Sequence, residues 1–182
     1  MTYFGFAKAA LASMAVVIIG GSALAQTAPS NRSGMPEPMQ HAMPRESGSR
    51  QEYIHEMGQS VMPFDLSKTT HVFRMTDTGG VQSVLVKDPQ DKDQIALIRQ
   101  HLLHEAAAFR HGDYADPSSL HGNAMPGLSV LESSHAAIAV SFSNLPLGAA
   151  LTFKSRDRHL VTAIHRWFGA QLSEHAADAR AE

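Results

Sequence analysis

The chain has 182 residues, with 15 Lys and Arg against 17 Asp and Glu, and no cysteine. That length supports one ordinary domain plus a tail, and the near-balance of charge excludes the basic stripe that nucleic acid needs. Without thiols there is no disulfide, no Cys nucleophile and no thiolate metal site, so any soft-metal site must draw on the nine Met, with the eleven His as further donors.

The first segment reads as an export signal. Lys8 precedes an apolar run from Ala9 to Gly20, and Ser22-Ala23-Leu24-Ala25 supplies small residues at a cleavage site. The run is shorter than the roughly 20 residues of a spanning helix. The expectation is a signal peptide over residues 1–25, cleaved after Ala25, and a periplasmic protein with no membrane attachment afterwards. No Cys follows the signal to carry a lipid.

Residues 26–62 have the composition of a flexible tail. Pro29, Pro36, Pro38 and Pro44 interrupt it, and it holds too little apolar surface to offset its ordering entropy. A short turn of helix is expected near Glu52–Gly58. The tail also carries Met35, Met39, His41, Met43, His55, Met57 and Met62. Thioether sulfur suits Cu(I) and imidazole suits copper or zinc, so this tract is a candidate metal collector.

Residues 63–182 read as a single α+β domain. His71–Met75 and Val81–Val86 are strand-like and flank Thr78-Gly79-Gly80, which predicts a β-hairpin. Asp91 or Asp93 caps a helix over about Asp93–Arg110, with Ile95, Ile98, Leu102, Ala106 and Phe109 as its apolar stripe. Asp116–Gly127 reads as a loop. Strands are expected at Leu128–Ser133, Ala137–Ser143 and Ala149–Lys154, with a turn at Asn144–Gly148. Asp157 caps a second helix, about Arg158–Ala177, with Val161, Ile164, Phe168 and Leu172 as its stripe. The order is β-β-α-β-β-β-α, a mainly antiparallel sheet with two helices on one face.

Three folded segments offer donor chemistry. On the first helix, His101 falls at the edge of the apolar stripe and His104 nearer solvent. Glu105, four residues beyond His101, is placed to orient it or to share a metal. The H-E-x-x-H pattern of zinc hydrolases is absent. The bland reading is an amphipathic helix with His at its boundary. His121-Gly122-Asn123-Ala124-Met125-Pro126-Gly127 puts an imidazole and a thioether four apart, or is a plain turn-rich connector. On the second helix His165 and His175 both lie toward the core, about 15 Å apart along the axis, too far to share one ion. Trp167 lies on that helix's flank.

Phe64–His71, Gly112–Pro117, His121–Gly127 and His165–Phe168 give the chain a resemblance to a set of small exported bacterial proteins. Some of these carry the name aspartate carbamoyltransferase. The Ser-Thr-Arg-Thr segment that binds carbamoyl phosphate in that enzyme does not occur in this sequence. The resemblance therefore implies no site residues.

Three functions follow in order. The first is a periplasmic metal-binding protein, with a copper ion held by His101, His104, His121, Met125 and His165. The second is a small transferase or hydrolase using His121 or His165 as base, although the sequence presents no nucleophile. The third is a partner-binding module whose His are structural. No nucleic-acid partner is expected.

Overall fold

The computed structural model describes residues 46–182. The expected signal segment and the larger part of the tail lie outside the described residues. Five helices and five strands run in the order α1 (Glu46–Val61), β1 (Thr69–Thr76), β2 (Gly79–Val86), α2 (Lys92–Arg110), α3 (Ala115–His121), α4 (Leu128–Ser133), β3 (Ala139–Leu145), β4 (Gly148–Lys154), α5 (Arg158–His175) and β5 (Ala179–Ala181). Short 3-10 turns fall between several of them. No helix among the described residues is long and apolar enough to cross a membrane.

The hairpin forms as its residues predict. Thr69 pairs with Val86 and Thr76 with Gly79, antiparallel throughout. The sheet order is β3-β4-β2-β1-β5. All pairings are antiparallel except β1 with β5, which is parallel over three residue pairs. This is a mixed α+β fold with a mainly antiparallel sheet.

Helix α2 is built as expected. Asp91 Oδ1 accepts from Gln94 N at 3.2 Å, capping its first turn. Ile95, Ile98, Leu102, Ala106 and Phe109 are all buried. Asp157 Oδ1 likewise accepts from His159 N at 2.8 Å at the start of α5. Helix α2 lies over β3 and β4, and α5 over β1 and β2, on one sheet face. Aromatic rings bind the layers together. Phe73 meets Phe168 with ring centroids 5.1 Å apart, Phe109 meets Phe153 at 5.9 Å, and Trp167 meets Phe153 at 5.5 Å.

Several expectations need correction. Leu128–Ser133 is a helix, not a strand. Its two buried residues, Leu128 and Leu131, stand three apart, a helical spacing that a six-residue run leaves ambiguous. Gly127 precedes it with φ +88°, and a Cβ there would lie 2.3 Å from the Ala163 carbonyl, so glycine alone lets α4 approach α5. The segment read as a loop contains α3, whose first amide, Ala115 N, donates to Asp113 Oδ1 at 3.0 Å.

The end of the expected tail is also folded. Helix α1 extends well beyond Glu52–Gly58, and Ile54 and Met62 belong to the core. The sequence contrast between tail and domain therefore falls too late, because α1 offers few apolar side chains and is held partly by polar contacts. His55 Nδ1 lies 2.9 Å from Asp178 Oδ2, and Gln51 Nε2 donates to the Ser173 carbonyl at 3.2 Å. The buried face of α5 is Leu160, Ala163, Ile164, Trp167, Phe168, Gln171 and His175, rotated from the expected stripe. Val161 and Leu172 are only partly buried, whereas Trp167 is 1% exposed. Hydrophobicity alone misplaces this face because two of its inward residues are polar.

Candidate functional site

Between α2 and α5, over the sheet, lies a polar cavity. Strands β1, β2 and β4 supply His71, Gln82, Val84 and Leu151 to its wall. Helix α2 supplies His101, Leu102, Glu105 and Phe109, and α5 supplies Trp167, Gln171 and His175. Helix α3 adds Asp116, Pro117, Leu120 and His121, and the end of α1 with the turn after it closes the rest through Val61, Met62 and Phe64. The water-accessible space is about 50 Å³. At roughly 15 Å³ per position that is about three waters.

The polar lining forms two groups. In the first, His101, Glu105 and Asp116 each offer a donor atom, and these three atoms all lie within 4.8 Å of one another. Two come from one helix because residues four apart share a face. The third comes from the opening turn of α3. Burial pushes the Glu105 carboxyl up to about 8, helped by a hydrogen bond to Asp116 and by the negative charge of Asp116 and Asp113. Burial also holds His101 down to about 4, against the pull of Asp116. Crowded carboxylates beside a neutral imidazole accept either a proton or a cation. A cation reverses both shifts, since its charge dominates locally.

The second group is an imidazole cluster. His71 and His175 lie with ring centroids 4.8 Å apart, and His121 and His175 with centroids 5.0 Å apart. Burial is the main force holding all three below the ordinary imidazole range, with like charge from neighbouring His adding to it for His71 and His175. They are therefore neutral near pH 7. His121 differs in having an acidic partner: its Nδ1 lies 2.6 Å from Glu174 Oε2. Glu174 in turn takes Arg50 Nη2 at 3.3 Å, and the same guanidinium donates to the His121 carbonyl.

Four buried atoms on the cavity's residues have no hydrogen-bond partner among the described residues. They are His71 Nδ1, Gln82 Oε1, Trp167 Nε1 and Gln171 Nε2. An unmet buried polar atom costs about 1–3 kcal/mol. All four are closed off from water, so they are unpaired within the packing around the cavity.

The five metal ligands expected from the sequence are not brought together. His101 and His121 line the cavity. His104 is exposed and does not line the cavity. Met125 is 5% exposed and belongs to the hydrophobic core outside the cavity lining. His165 directs Nε2 at the Thr76 and Gly79 carbonyls, at 3.0 and 2.7 Å, and so holds the hairpin turn. Its Nε2–H is committed to backbone. Glu105 was legible as a partner of His101 from their spacing of four. Asp116 reads in sequence only as a turn former before Pro117, and His71 only as a strand residue. His175 reads in sequence as a core-facing residue of the second helix, whereas Gln171 lies off the expected stripe and is placed at the site only by the fold.

No family model, characterised protein or solved structure matches this chain.

Proposed function

We propose that this is an exported metal-binding protein whose folded site is His101, Glu105 and Asp116. One observation carries the reading: donor atoms of three side chains from two helices, Glu105 buried and His101 and Asp116 half-buried, lie within 4.8 Å of one another at the wall of one cavity. A proton on Glu105 lets it sit beside Asp116, and a divalent ion would take that proton's place between the two carboxylates. One imidazole with two carboxylates suits a borderline divalent ion such as Zn(II), Mn(II), Fe(II) or Cu(II). Copper in its Cu(I) form prefers thioether, so that version of the reading rests on the Met residues of the tail. Three protein ligands leave coordination positions for water or a small ligand.

The test is metal content and native mass of the purified chain exposed in turn to Zn(II), Mn(II), Fe(II) and Cu(II). The expected result is one ion per chain, lost in His101→Ala and in Asp116→Asn. Binding that persists unchanged in both variants, or no binding of any of the four, overturns the proposal.

A further inference from the structure

The two edges of the sheet are finished differently. At one, β5 is three residues long and carries Arg180, and Glu182 just beyond it pairs with Arg74. A short, charged edge resists further pairing. At the other, β3 runs for seven residues, Ala139–Leu145, in unbroken register with β4. It holds no charge, no proline and no bulge, and no strand among the described residues lies on its outer side. Such an edge is a template for another strand. Leu147 O accepts from Val86 N at 2.9 Å, so Leu147 bonds toward β2 and Gly148, the next residue, toward β3. Leu145, Ser143, Ser141 and Ala139 then bond β4, and Val140, Phe142 and Asn144 aim their N–H and C=O groups outward.

Helix α2 adds an apolar strip on the same side. Arg99 Nη2 donates to the Leu145 carbonyl at 2.7 Å and Arg110 Nε to the Val140 carbonyl at 2.8 Å, so the flank of α2 that carries both lies along β3. A carbonyl has a second lone pair, so Val140 O can still accept from a neighbouring strand. Leu103, four residues after Arg99 and seven before Arg110, is on that flank. At 54% it is the most exposed large hydrophobic among the described residues. Ala96 and Ala107 are exposed beside it, and Phe142 is only half-buried at the middle of β3.

We infer that β3 is the seam of a homodimer, in which two copies pair their β3 strands antiparallel about a two-fold axis at Phe142 and join their sheets into one. The occupant is a second copy because this edge is complementary to itself. The axis sets Phe142 opposite Phe142, Val140 opposite Asn144 and Ser141 opposite Ser143, so no charge opposes a like charge along the strand pair. It keeps the helices of both copies on one face and runs α2 antiparallel to its copy, with Leu103 against Leu103. Arg99 then meets Ala107 and Arg110 meets Ala96, which keeps the guanidinium groups apart and leaves small residues where the helices approach. The seam is about 24 Å long at the rise of an antiparallel strand. The strand and helix layers together are about 20 Å deep. Two such faces bury about 1,000 Å² in all, the lower bound of a stable contact. The metal group lies on the opposite flank of α2, toward α5, so the dimer does not depend on it.

The test is sedimentation velocity of the full chain from about 1 to 100 μM, the range a contact of that size calls for. Wild type is expected to pass from one chain to two within it. Ser141→Lys with Ser143→Lys sets Lys opposite Lys twice across the seam and is expected to weaken association about tenfold. Ser141→Glu with Ser143→Glu is expected to do the same. Mixed in equal amounts, the two double variants are expected to form a dimer tighter than either makes alone, because Lys then faces Glu at both positions. Leu103→Glu is expected to weaken the dimer by a similar factor. All three side chains are exposed, so circular dichroism and Tm of every variant should match wild type. Wild type that stays single at the top of the range overturns the inference. So does a dimer that the Lys pair leaves intact, or a mixture of folded Lys and Glu variants that associates no better than each alone.

Discussion

His71 on β1 and His175 on α5 face one another with ring centroids 4.8 Å apart and planes within 11°. Neither can charge without cost. Burial, then the like charge of His101, holds His71 down to about 4 from 6.5, although Asp178 pulls the other way. Because the folded value lies below the unfolded one, protons favour the unfolded chain. The stability contribution is intact above about 6.5 and is lost as pH falls from there through about 4. For His71 alone this is on the order of 3 kcal/mol. Urea denaturation of the metal-free protein at several pH values checks it. Relative to His71→Phe, wild type should lose stability across that window. A constant difference between the two would show that His71 is not held neutral by the fold.

Glu105 runs in the opposite sense. Its folded value of about 8 lies above 4.5, so its contribution is present below about 4.5 and lost as pH rises through about 8. Glu105→Gln keeps the shape and removes the charge. The metal-free Gln variant should therefore gain on wild type as pH rises over that range. The same substitution should cost at least 10²-fold in metal affinity, because an amide is a poor replacement for a carboxylate ligand. Calorimetric titration beside urea melts separates the two effects. A variant that loses stability and keeps affinity would make Glu105 a core group and not a ligand.

His165 offers a contrast within the same helix. Its Nε2–H is shared between the Thr76 and Gly79 carbonyls at the tip of the β1–β2 hairpin. His165→Ala should destabilise by about 1–3 kcal/mol through those two unmet acceptors. It should leave metal stoichiometry unchanged, since His165 does not line the cavity. Thermal melts and metal content measured on the same samples test both halves. A loss of metal comparable with that of His101→Ala would return His165 to the ligand set.

The strong periodicities were legible without coordinates. The hairpin, both long helices, their Asp caps and the apolar stripe of α2 follow from local spacing, because each depends on side chains within a few residues of one another. The pairing of His101 with Glu105 was legible for the same reason: four residues of helix bring two side chains to one face. Short segments were not. Leu128–Ser133 is too brief for period two and period 3.6 to separate, and α1 carries too little apolar surface to announce that it docks.

The tertiary structure decided which donors meet. Asp116 joins His101 and Glu105 only because α3 folds back against the cavity, and His71, His121 and His175 converge from a strand and two helices. It equally decided which donors do not meet, sending Met125 into the core, His104 to the surface and His165 to the hairpin. By itself the sequence determined the β1–β2 and β3–β4 strand pairs, α2 and α5, and the supply of imidazole, thioether and carboxylate. The site depends on contacts between residues distant in sequence, which have no local period to read, and burial by the packed layers then set which of those groups are neutral.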